Sequence, residues 1–133
     1  MSLAVVDASV LAAFYAVQDP RRPQVTARLS AGQAVFAPAH LDVEVTSALR
    51  GMARGNQRLH DAVPRALRHL ASFPIRRMPL APLLERMWQL RENVTSYDAA
   101  YIALAEELDA AVITCDAKLA AACGIGCAID LIG

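Results

Sequence analysis

The sequence predicts an α/β fold in which helices cover both faces of a parallel β-sheet. Short apolar segments rich in β-branched residues alternate along the chain with longer segments of helical period, and this alternation favours parallel pairing of the strands. The chain has 133 residues, of which 56% are hydrophobic and 20% charged, the balance of one soluble domain with an ordinary core. We therefore expect a single domain over residues 1–133.

The N-terminal half of the chain is predicted to contain two strands and three helices. An apolar, β-rich run bounded by Asp7 leads directly into an alanine-rich segment of helical period. Pro23 lies near the first turn of the second helix, and Pro38 ends the second strand. In order, the elements are a strand at 3–6, a helix at 10–17, a helix at 24–31, a strand at 34–37 and a helix from 41 that ends near 51–55.

The C-terminal half is predicted to contain four helices and three strands. Pro64 lies inside the first of these helices and should kink it or mark a fresh start, whereas Pro82 lies near the start of the second. Ser96 or Thr95 caps the third. In order, the elements are a helix at 59–73, a strand at 75–78, a helix at 83–90, a helix at 97–108, a strand at 111–114, a short alanine-rich helix and a strand around 127–129.

The formal net charge of zero hides an uneven distribution of charge along the chain. Residues 1–49 carry three basic and four acidic side chains, residues 50–91 nine and two, and residues 92–133 one and seven. Twelve of the 13 basic residues are arginine, whose planar guanidinium suits phosphate and carboxylate. The basic middle could contact a polyanion, or the oppositely charged helix surfaces could neutralise each other, and charge alone favours the second interpretation.

The sequence shows neither a membrane span nor a recognisable signal peptide. Its longest unbroken apolar run, residues 10–17, is eight residues long, whereas a bilayer crossing takes roughly 18 or more. The first residues lack a basic start and include the acid Asp7. Cys115, Cys123 and Cys127 are an odd set without a complete zinc-binding pattern, so we expect small buried thiols in a reducing compartment. These features predict a cytoplasmic protein with no membrane contact.

Two acidic residues follow the two clearest predicted strands. Asp7 ends the first strand, and Asp116 lies just after the strand at 111–114. Ligands of open parallel sheets bind in the crevice outside the carboxyl ends of the strands, so both carboxylates should face that crevice. For Asp7 taken alone, capping of the following helix is the simpler explanation.

Two further acids lie in predicted helices. On a helical projection Glu44 lies on the side of Leu41 and Ala48 rather than opposite them, which is unusual because an unpaired charge is costly to bury. Asp42 lies away from that side and is expected to be solvated. Asp98 lies in the first turn of an otherwise apolar helix, where stabilisation of the helix dipole would be sufficient to explain it.

The predicted fold can place these four acids around one end of one sheet. Crowded carboxylates repel each other, and without a cation some of them would take up protons. An all-oxygen set with no convergent Cys or His favours Mg²⁺ or Mn²⁺ over zinc. Such an ion can activate a water molecule and stabilise the charge of a phosphodiester during in-line displacement, and the arginine-rich middle would then suit the phosphates.

Each of the four acids stands in a short motif. The motifs are hydrophobic-Asp7-x-Ser9, Glu44-Val45-x-Ser47-Ala48-Leu49, Tyr97-Asp98-Ala99-x-Tyr101-Ile102-Ala103-Leu104-Ala105 and Ile113-Thr114-x-Asp116-x-x-Leu119-Ala120. Each motif alone is weak, but the four together, in this order and at this chain length, resemble the PIN-domain ribonucleases, specifically the VapC-type toxins of bacterial toxin–antitoxin pairs. The resemblance spans nearly the whole chain.

The resemblance implies a three-layer α/β/α sandwich with a central parallel sheet, Mg²⁺- or Mn²⁺-dependent endoribonuclease activity, a homodimer and an inhibitory VapB-type antitoxin. Carried over by position, the acidic site is Asp7, Glu44, Asp98 and Asp116, and its polar neighbours are Ser9 and Thr114. In the expected mechanism the three Asp side chains share the main metal, and Glu44 orients the attacking water or a second ion. Some members carry a further acid or Asn soon after the fourth position, where this chain has Ala117 and Lys118, so no fifth ligand is expected.

Several other residues have a simpler structural explanation. Arg86 and Arg91 could contact RNA or a partner, although an exposed helix face explains them equally well. His40, one turn before Glu44, could touch it, but a structural role is the simpler interpretation. Trp88 is expected in the core or in a dimer surface.

Two other functional classes are compatible with the sequence. A receiver-like, phosphoryl-accepting domain also carries acids at strand ends, but it needs an acidic pair after the first strand and an acceptor Asp after the middle strand. Here Asp7 stands alone, and the third strand ends in Met78 and Pro79. A catalytically inactive PIN-fold binding module is the other alternative, although such a module has no need to crowd four acids. Stabilisation by Mg²⁺ or Mn²⁺ that is lost in Asp7→Asn would favour the enzyme.

Overall fold

The computed structural model describes residues 2–133, which form five strands and seven α-helices. The elements are β1 (Leu3–Val6), α1 (Ala8–Tyr15), α2 (Arg22–Leu29), β2 (Ala34–Pro38), α3 (Leu41–Ala53), α4 (Gln57–Ser72), β3 (Ile75–Met78), α5 (Leu84–Gln89), α6 (Ser96–Leu108), β4 (Ala111–Thr114), α7 (Ala117–Ala120) and β5 (Ile129–Leu131). A single 3-10 turn, Ala81–Leu83, precedes α5. Strands and helices therefore alternate as the sequence predicts.

All five strands lie in one parallel sheet, in the order β3-β2-β1-β4-β5. In the central strand, Val5 pairs with Phe36 of β2 on one side and with Val112 of β4 on the other. The direction of strand addition reverses at β1, so right-handed crossovers place α1 to α4 on one face and α5 to α7 on the other. This arrangement is the expected three-layer sandwich, and the reversal at β1 opens a crevice at the carboxyl ends of β1 and β4.

The core is formed by the central strands and the helices that cover them. Helix α6 packs across β1, β2 and β4, and its residues 99–105 are all buried. Because helices cover both faces of the sheet, β1 is apolar along its length and β4 is apolar up to its last residue, Thr114. In the described part of the chain, Asp7 (5% exposed) and Thr114 (0% exposed) are the only polar or charged residues that are buried. Both lie at the carboxyl ends of central strands.

Some element boundaries differ from the predictions. Helix α2 begins at Arg22, two residues earlier than predicted, because Pro23 fits the first turn of a helix. Pro64 does not mark a fresh start: it lies inside a continuous α4 and on its exposed side, where water can bind the carbonyl that proline leaves without a donor. The last strand, Ile129–Leu131, lies two residues later than predicted, at the edge of the sheet.

One expectation about burial was wrong. Cys123 is exposed, and the other two cysteines are only half-buried, so the thiols are not a buried set. Of the two places expected for Trp88, the core is excluded, because Trp88 is exposed on α5 together with its neighbour Leu84, and the dimer surface stays a prediction. Within residues 2–133, no helix is both long enough and apolar enough to cross a membrane.

Arg77 in β3 joins the start of α3 to the end of α4. Its guanidinium donates to both carboxylate oxygens of Asp42 at 3.0 Å. It also donates to the carbonyls of Leu70, Phe73 and Ile75 at 2.7, 3.1 and 3.1 Å. The last carbonyls of a helix lack helical partners, so Arg77 caps the end of α4. Asp42 is therefore not simply solvated as expected, because it lies in this ion pair.

Replacement of Arg77 by alanine is expected to lower the free energy of unfolding by about 2–3 kcal/mol, because several carbonyls and one carboxylate lose their donor. Chemical denaturation measures this loss. Arg76→Ala is the matched control, since Arg76 is the exposed neighbour in the same strand and lies over the Phe36 ring at 5.7 Å. The control should lose less than about 1 kcal/mol. Equal losses in the two variants would contradict the role assigned to Arg77.

Candidate active site

Asp7 lies between β1 and α1, at the crevice formed by the reversal of the strand order. Its Oδ1 accepts hydrogen bonds from the Ser9 hydroxyl at 2.6 Å and from the Val10 N–H at 3.3 Å. Its Oδ2 accepts one from the Thr114 hydroxyl at 2.5 Å. The carboxylate therefore caps α1 and also faces the end of β4, so capping and a place in the crevice are compatible roles for this residue.

Burial raises the pKa of Asp7 from 3.8 to about 6. The hydrogen bonds from Ser9, Thr114 and Val10 act in the opposite direction, and the negative charge of Asp98 adds to the increase. Desolvation is therefore the larger effect, and ionisation of this carboxylate costs free energy in the folded protein even though two hydroxyls donate to it.

Ser9 and Thr114 tie the ends of β1 and β4 together. Each donates its hydroxyl proton to Asp7, so each oxygen remains available as an acceptor. Ser9 Oγ accepts a hydrogen bond from the Cys115 N–H at 2.9 Å, and Thr114 Oγ1 accepts one from the Asp116 N–H at 2.9 Å. The two hydroxyls therefore orient Asp7 and also fix the backbone that carries Asp116.

Asp98 and Asp116 each lie at the start of a helix. Thr95 caps α6, and its hydroxyl oxygen accepts a hydrogen bond from the Asp98 N–H at 3.2 Å. Asp116 caps α7 by accepting a hydrogen bond from the Lys118 N–H at 2.9 Å. Burial raises the pKa of Asp98, and the negative charges of Asp116 and Glu44 raise it further. Asp98 is therefore close enough to the other three acids for their charges to interact: Asp116 and Glu44 raise its pKa, and it raises that of Asp7.

Glu44 is held by two residues that the sequence motifs did not assign to the site. The buried Tyr101 donates its hydroxyl to Glu44 Oε1 at 2.6 Å, and His40 Nε2 lies 3.2 Å from the same oxygen. Burial opposes ionisation of Glu44, but these hydrogen bonds outweigh it and lower its pKa. Helical spacing carried a signal for both, because Tyr101 lies three residues after Asp98 and His40 lies four residues before Glu44.

His40 is the one basic side chain paired with the four acids in the described residues. Its Nε2 contacts two acceptors, Glu44 Oε1 and the carbonyl of Tyr97 at 3.0 Å, so this nitrogen carries a proton. Burial lowers the pKa of His40, but Glu44, the Tyr97 carbonyl and the charge of Asp98 together outweigh burial and raise it overall. No arginine or lysine within residues 2–133 forms an ion pair with any of the four acids.

The four carboxylates fit a divalent cation by charge and by donor type. Their mutual repulsion has no arginine or lysine to offset it, and carboxylate oxygens are the donors that Mg²⁺ and Mn²⁺ prefer. As the side chains stand in residues 2–133, no three Asp, Glu, His or Cys residues are grouped to hold an ion. Asp7 Oδ2 accepts one hydrogen bond, from Thr114, and keeps a lone pair for an ion, so what ion binding requires is a closer approach of the acids to one another.

The two arginines considered for RNA binding are engaged elsewhere in the fold. Arg86 binds both carboxylate oxygens of Glu106, at 2.7 and 3.0 Å, and donates to the carbonyl of Gly124 at 3.0 Å. The guanidinium of Arg91 lies 4.3 Å from the centre of the Trp88 ring. Contact of either residue with RNA stays a prediction.

Replacement of Asp7 by asparagine is expected to stabilise the metal-free protein at neutral pH. The folded-state pKa of Asp7, about 6, lies above the ordinary value of 3.8, so ionisation reduces stability as the pH rises through this interval. This pKa shift corresponds to an increase of roughly 1–3 kcal/mol in the free energy of unfolding of Asp7→Asn at about pH 7.5, and the increase should vanish near pH 4.

Urea denaturation in EDTA at several pH values measures this gain. Asp61→Asn is the control, because Asp61 is an exposed acid on α4 whose pKa is lowered by hydrogen bonds from Gln57 and His60, and it should show no gain. A stabilisation by Asp7→Asn that does not depend on pH, or a loss of stability at neutral pH, would contradict the cost assigned to the buried carboxylate.

Comparison with known proteins identifies a family. A model of the PIN domain matches residues 4–125. Ribonuclease VapC12 of Mycobacterium tuberculosis is 43% identical over 107 residues, which cover 80% of this chain and 82% of that protein. Ribonuclease VapC1 of the same species is 44% identical over 97 residues, covering 72% of this chain and 73% of that protein.

Solved structures share the fold. VapC20 of Mycobacterium tuberculosis, described as a sarcin–ricin loop cleaving toxin, superposes with a TM-score of 0.70 at 23% identity, covering 92% of this chain and 96% of that one. PAE2754 from Pyrobaculum aerophilum gives 0.69 at 26% identity, with coverage of 97% and 83%. VapBC2 from Rickettsia felis, solved with a DNA fragment from their promoter, gives 0.64 at 9% identity, with coverage of 96% and 98%. From the matched domain and the identity to these relatives, the chain belongs to the PIN-domain family and, within it, to the VapC ribonucleases.

Proposed function

We propose that this chain is a divalent-metal-dependent endoribonuclease that acts as the toxin of a toxin–antitoxin pair. The observation that carries the proposal is the set of four carboxylates at the carboxyl edge of the sheet. The charges of Asp116 and Glu44 raise the pKa of Asp98, and no arginine or lysine in the described residues forms an ion pair with any of the four. Family membership supports RNA as the substrate, because the relatives that are 43–44% identical to this chain over 97–107 residues are named ribonucleases.

Asp7, Asp98 and Asp116 are the residues proposed to hold the ion. A bound Mg²⁺ or Mn²⁺ supplies a Lewis acid that lowers the pKa of water and offsets the charge of the phosphodiester. The hydroxyls of Ser9 and Thr114 keep the Asp7 carboxylate at the crevice and hold the backbone of Asp116 beside it. These two residues therefore act through the acids rather than on the RNA.

Glu44 is proposed to orient the attacking water. Its lowered pKa keeps the carboxylate ionised at neutral pH, so it can accept a hydrogen bond from water. Tyr101 and His40 both bind Oε1 and thereby fix the orientation of the side chain. In-line displacement needs such a fixed acceptor, because the attacking oxygen must approach phosphorus opposite the leaving oxygen.

The proposed partners are an inhibitory VapB-type antitoxin and a second copy of the chain. The Rickettsia felis neighbour was solved as VapBC2, which supports a toxin–antitoxin arrangement here. The exposed Leu84 and Trp88 on α5 offer an apolar surface suited to a homodimer. A cytoplasmic location, where RNA is present, agrees with this function.

Purified, antitoxin-free protein is expected to cleave a total-RNA pool at discrete sites with Mn²⁺ and not with EDTA. Asp7→Asn and Asp98→Asn should each slow single-turnover cleavage by more than about 100-fold, since each removes a proposed metal ligand. Glu107→Gln, at an exposed position of the same helix as Asp98, is the control and should cleave normally. Sequencing of the new RNA ends locates the cleavage sites.

Cleavage that persists in EDTA, or full activity of Asp7→Asn, would contradict the metal mechanism. Folded protein that is stabilised by Mn²⁺ but cuts no RNA would instead favour the inactive PIN-fold binding module. Membership of the PIN family argues against the receiver-like alternative. The strand ends argue against it independently, because only one acid, Asp7, follows β1 and β3 ends at Met78 without an acceptor Asp.

A further inference from the structure

A pocket beside the acidic site has no assigned role in the proposed function. The cavity has a volume of about 270 Å³ and lies between the start of α6, α5 and the segment that follows β3. Two of its lining residues adjoin the acids: His40 contacts Glu44, and Tyr97 immediately precedes Asp98. The pocket is lined by His40, Leu80, Met87, Ser96, Tyr97 and Ala100.

We propose that this pocket binds one unstacked nucleobase of the RNA substrate, next to the phosphodiester that is cleaved. The inference rests on the proposed endoribonuclease function and extends it from the reacting phosphate to the adjoining base. A phosphate bound at the four acids brings its flanking nucleotide close to them. The pocket adjoins the acids through two of its lining residues, His40, which contacts Glu44, and Tyr97, which precedes Asp98. The base therefore has an adjacent place to bind.

The size and lining of the pocket fit a base better than they fit a phosphate or a helix. Its volume is near the lower end of the roughly 300–1,000 Å³ found for small-ligand pockets, which suits a single planar ring system. Leu80, Met87 and Ala100 give it an apolar wall, while Ser96 brings a hydroxyl for the polar edge of a base. His40 is the one lining residue that can carry a charge, and Glu44 pairs with it, so an uncharged ring meets no unmatched charge.

Tyr97 supplies the stacking surface. The residue is 65% exposed, yet its backbone is fixed, because it lies in the first turn of α6 and its carbonyl accepts a hydrogen bond from His40 Nε2 at 3.0 Å. The His40 ring lies 6.2 Å from the Tyr97 ring and 4.9 Å from the buried Tyr101 ring. An exposed aromatic ring on a rigid support loses little freedom when a base stacks on it, and proteins commonly bind single-stranded bases in this way.

Affinity for RNA tests this pocket when cleavage is blocked by Asp116→Asn. The probe is a short, single-stranded RNA of random sequence that carries 5-iodouridine. Adding Tyr97→Ala to this protein should weaken its affinity for the RNA by about 10-fold or more. Adding Tyr97→Phe, which keeps the ring, should leave the affinity within about two-fold of that of Asp116→Asn alone. Ultraviolet irradiation should cross-link the iodouridine to Tyr97, as located by mass spectrometry of the digested protein.

Leu131→Ala is the control. Leu131 is an exposed apolar side chain (44% exposed) on the edge strand β5 and does not line the pocket, so its loss should change the affinity by less than about two-fold. Equal weakening by Leu131→Ala and Tyr97→Ala would overturn the pocket as a base site. Unchanged affinity in Tyr97→Ala, with cross-links elsewhere, would overturn it as well.

Two further outcomes separate this inference from the function on which it rests. If Tyr97→Ala loses a dimer together with its RNA affinity, the surface belongs to a second copy of the chain and the base site is overturned. If the unsubstituted protein neither binds nor cleaves RNA, the proposed function fails, and the base site fails with it. Normal RNA cleavage and binding by Tyr97→Ala would overturn the base site alone.

Discussion

The burial of the Asp7 carboxylate is the constraint on which the arrangement of the site depends. Asp7 lies at the carboxyl end of the central strand, where hydroxyls of Ser9 in α1 and Thr114 at the end of β4 bind its two oxygens. One carboxylate thus connects β1, α1 and β4. Loss of water raises its pKa to about 6, so the folded chain holds a charge that only a proton or a cation compensates fully.

Apolar packing keeps the acids together against their repulsion. Helix α6 buries residues 99–105 against the sheet, and this packing holds Asp98 at the crevice although the charges of Asp116 and Glu44 destabilise its ionised form. A site that needs crowded charge for chemistry is costly in stability, and the surrounding core offsets that cost. Glu44 differs from the other acids, because Tyr101 and His40 stabilise its ionised form.

Much of the fold follows from local patterns in the sequence. The segments that form β1, β4 and α6 are strongly apolar, and their periodicity predicts them closely because burial on both sides of the sheet requires such residues. The short edge strand β5 was misplaced, because its residues are partly exposed and carry little periodic signal. The helix at 59–73 was predicted, but the sequence left open whether Pro64 marks a fresh start, since tolerance of proline depends on which side of the helix faces water.

The four acids of the candidate site and the neighbours Ser9, Thr114 and His40 could be named from the sequence, whereas contacts between distant segments could not. The rule that ligands lie at the carboxyl ends of parallel strands directs attention to Asp7 and Asp116. The hydrogen bond between Tyr101 and Glu44 joins residues 57 positions apart, and the pairing of Arg86 with Glu106 joins residues 20 apart. Contacts of this kind depend on strand order and helix packing, which one sequence does not specify.

The location of a Mn²⁺ ion by anomalous scattering from crystals of the protein tests the metal site most directly. We expect one ion bound by carboxylate oxygens of Asp7, Asp98 and Asp116 at about 2.1 Å. An ion bound elsewhere, or one without an oxygen ligand from each of these three acids, would contradict their assignment as the metal ligands.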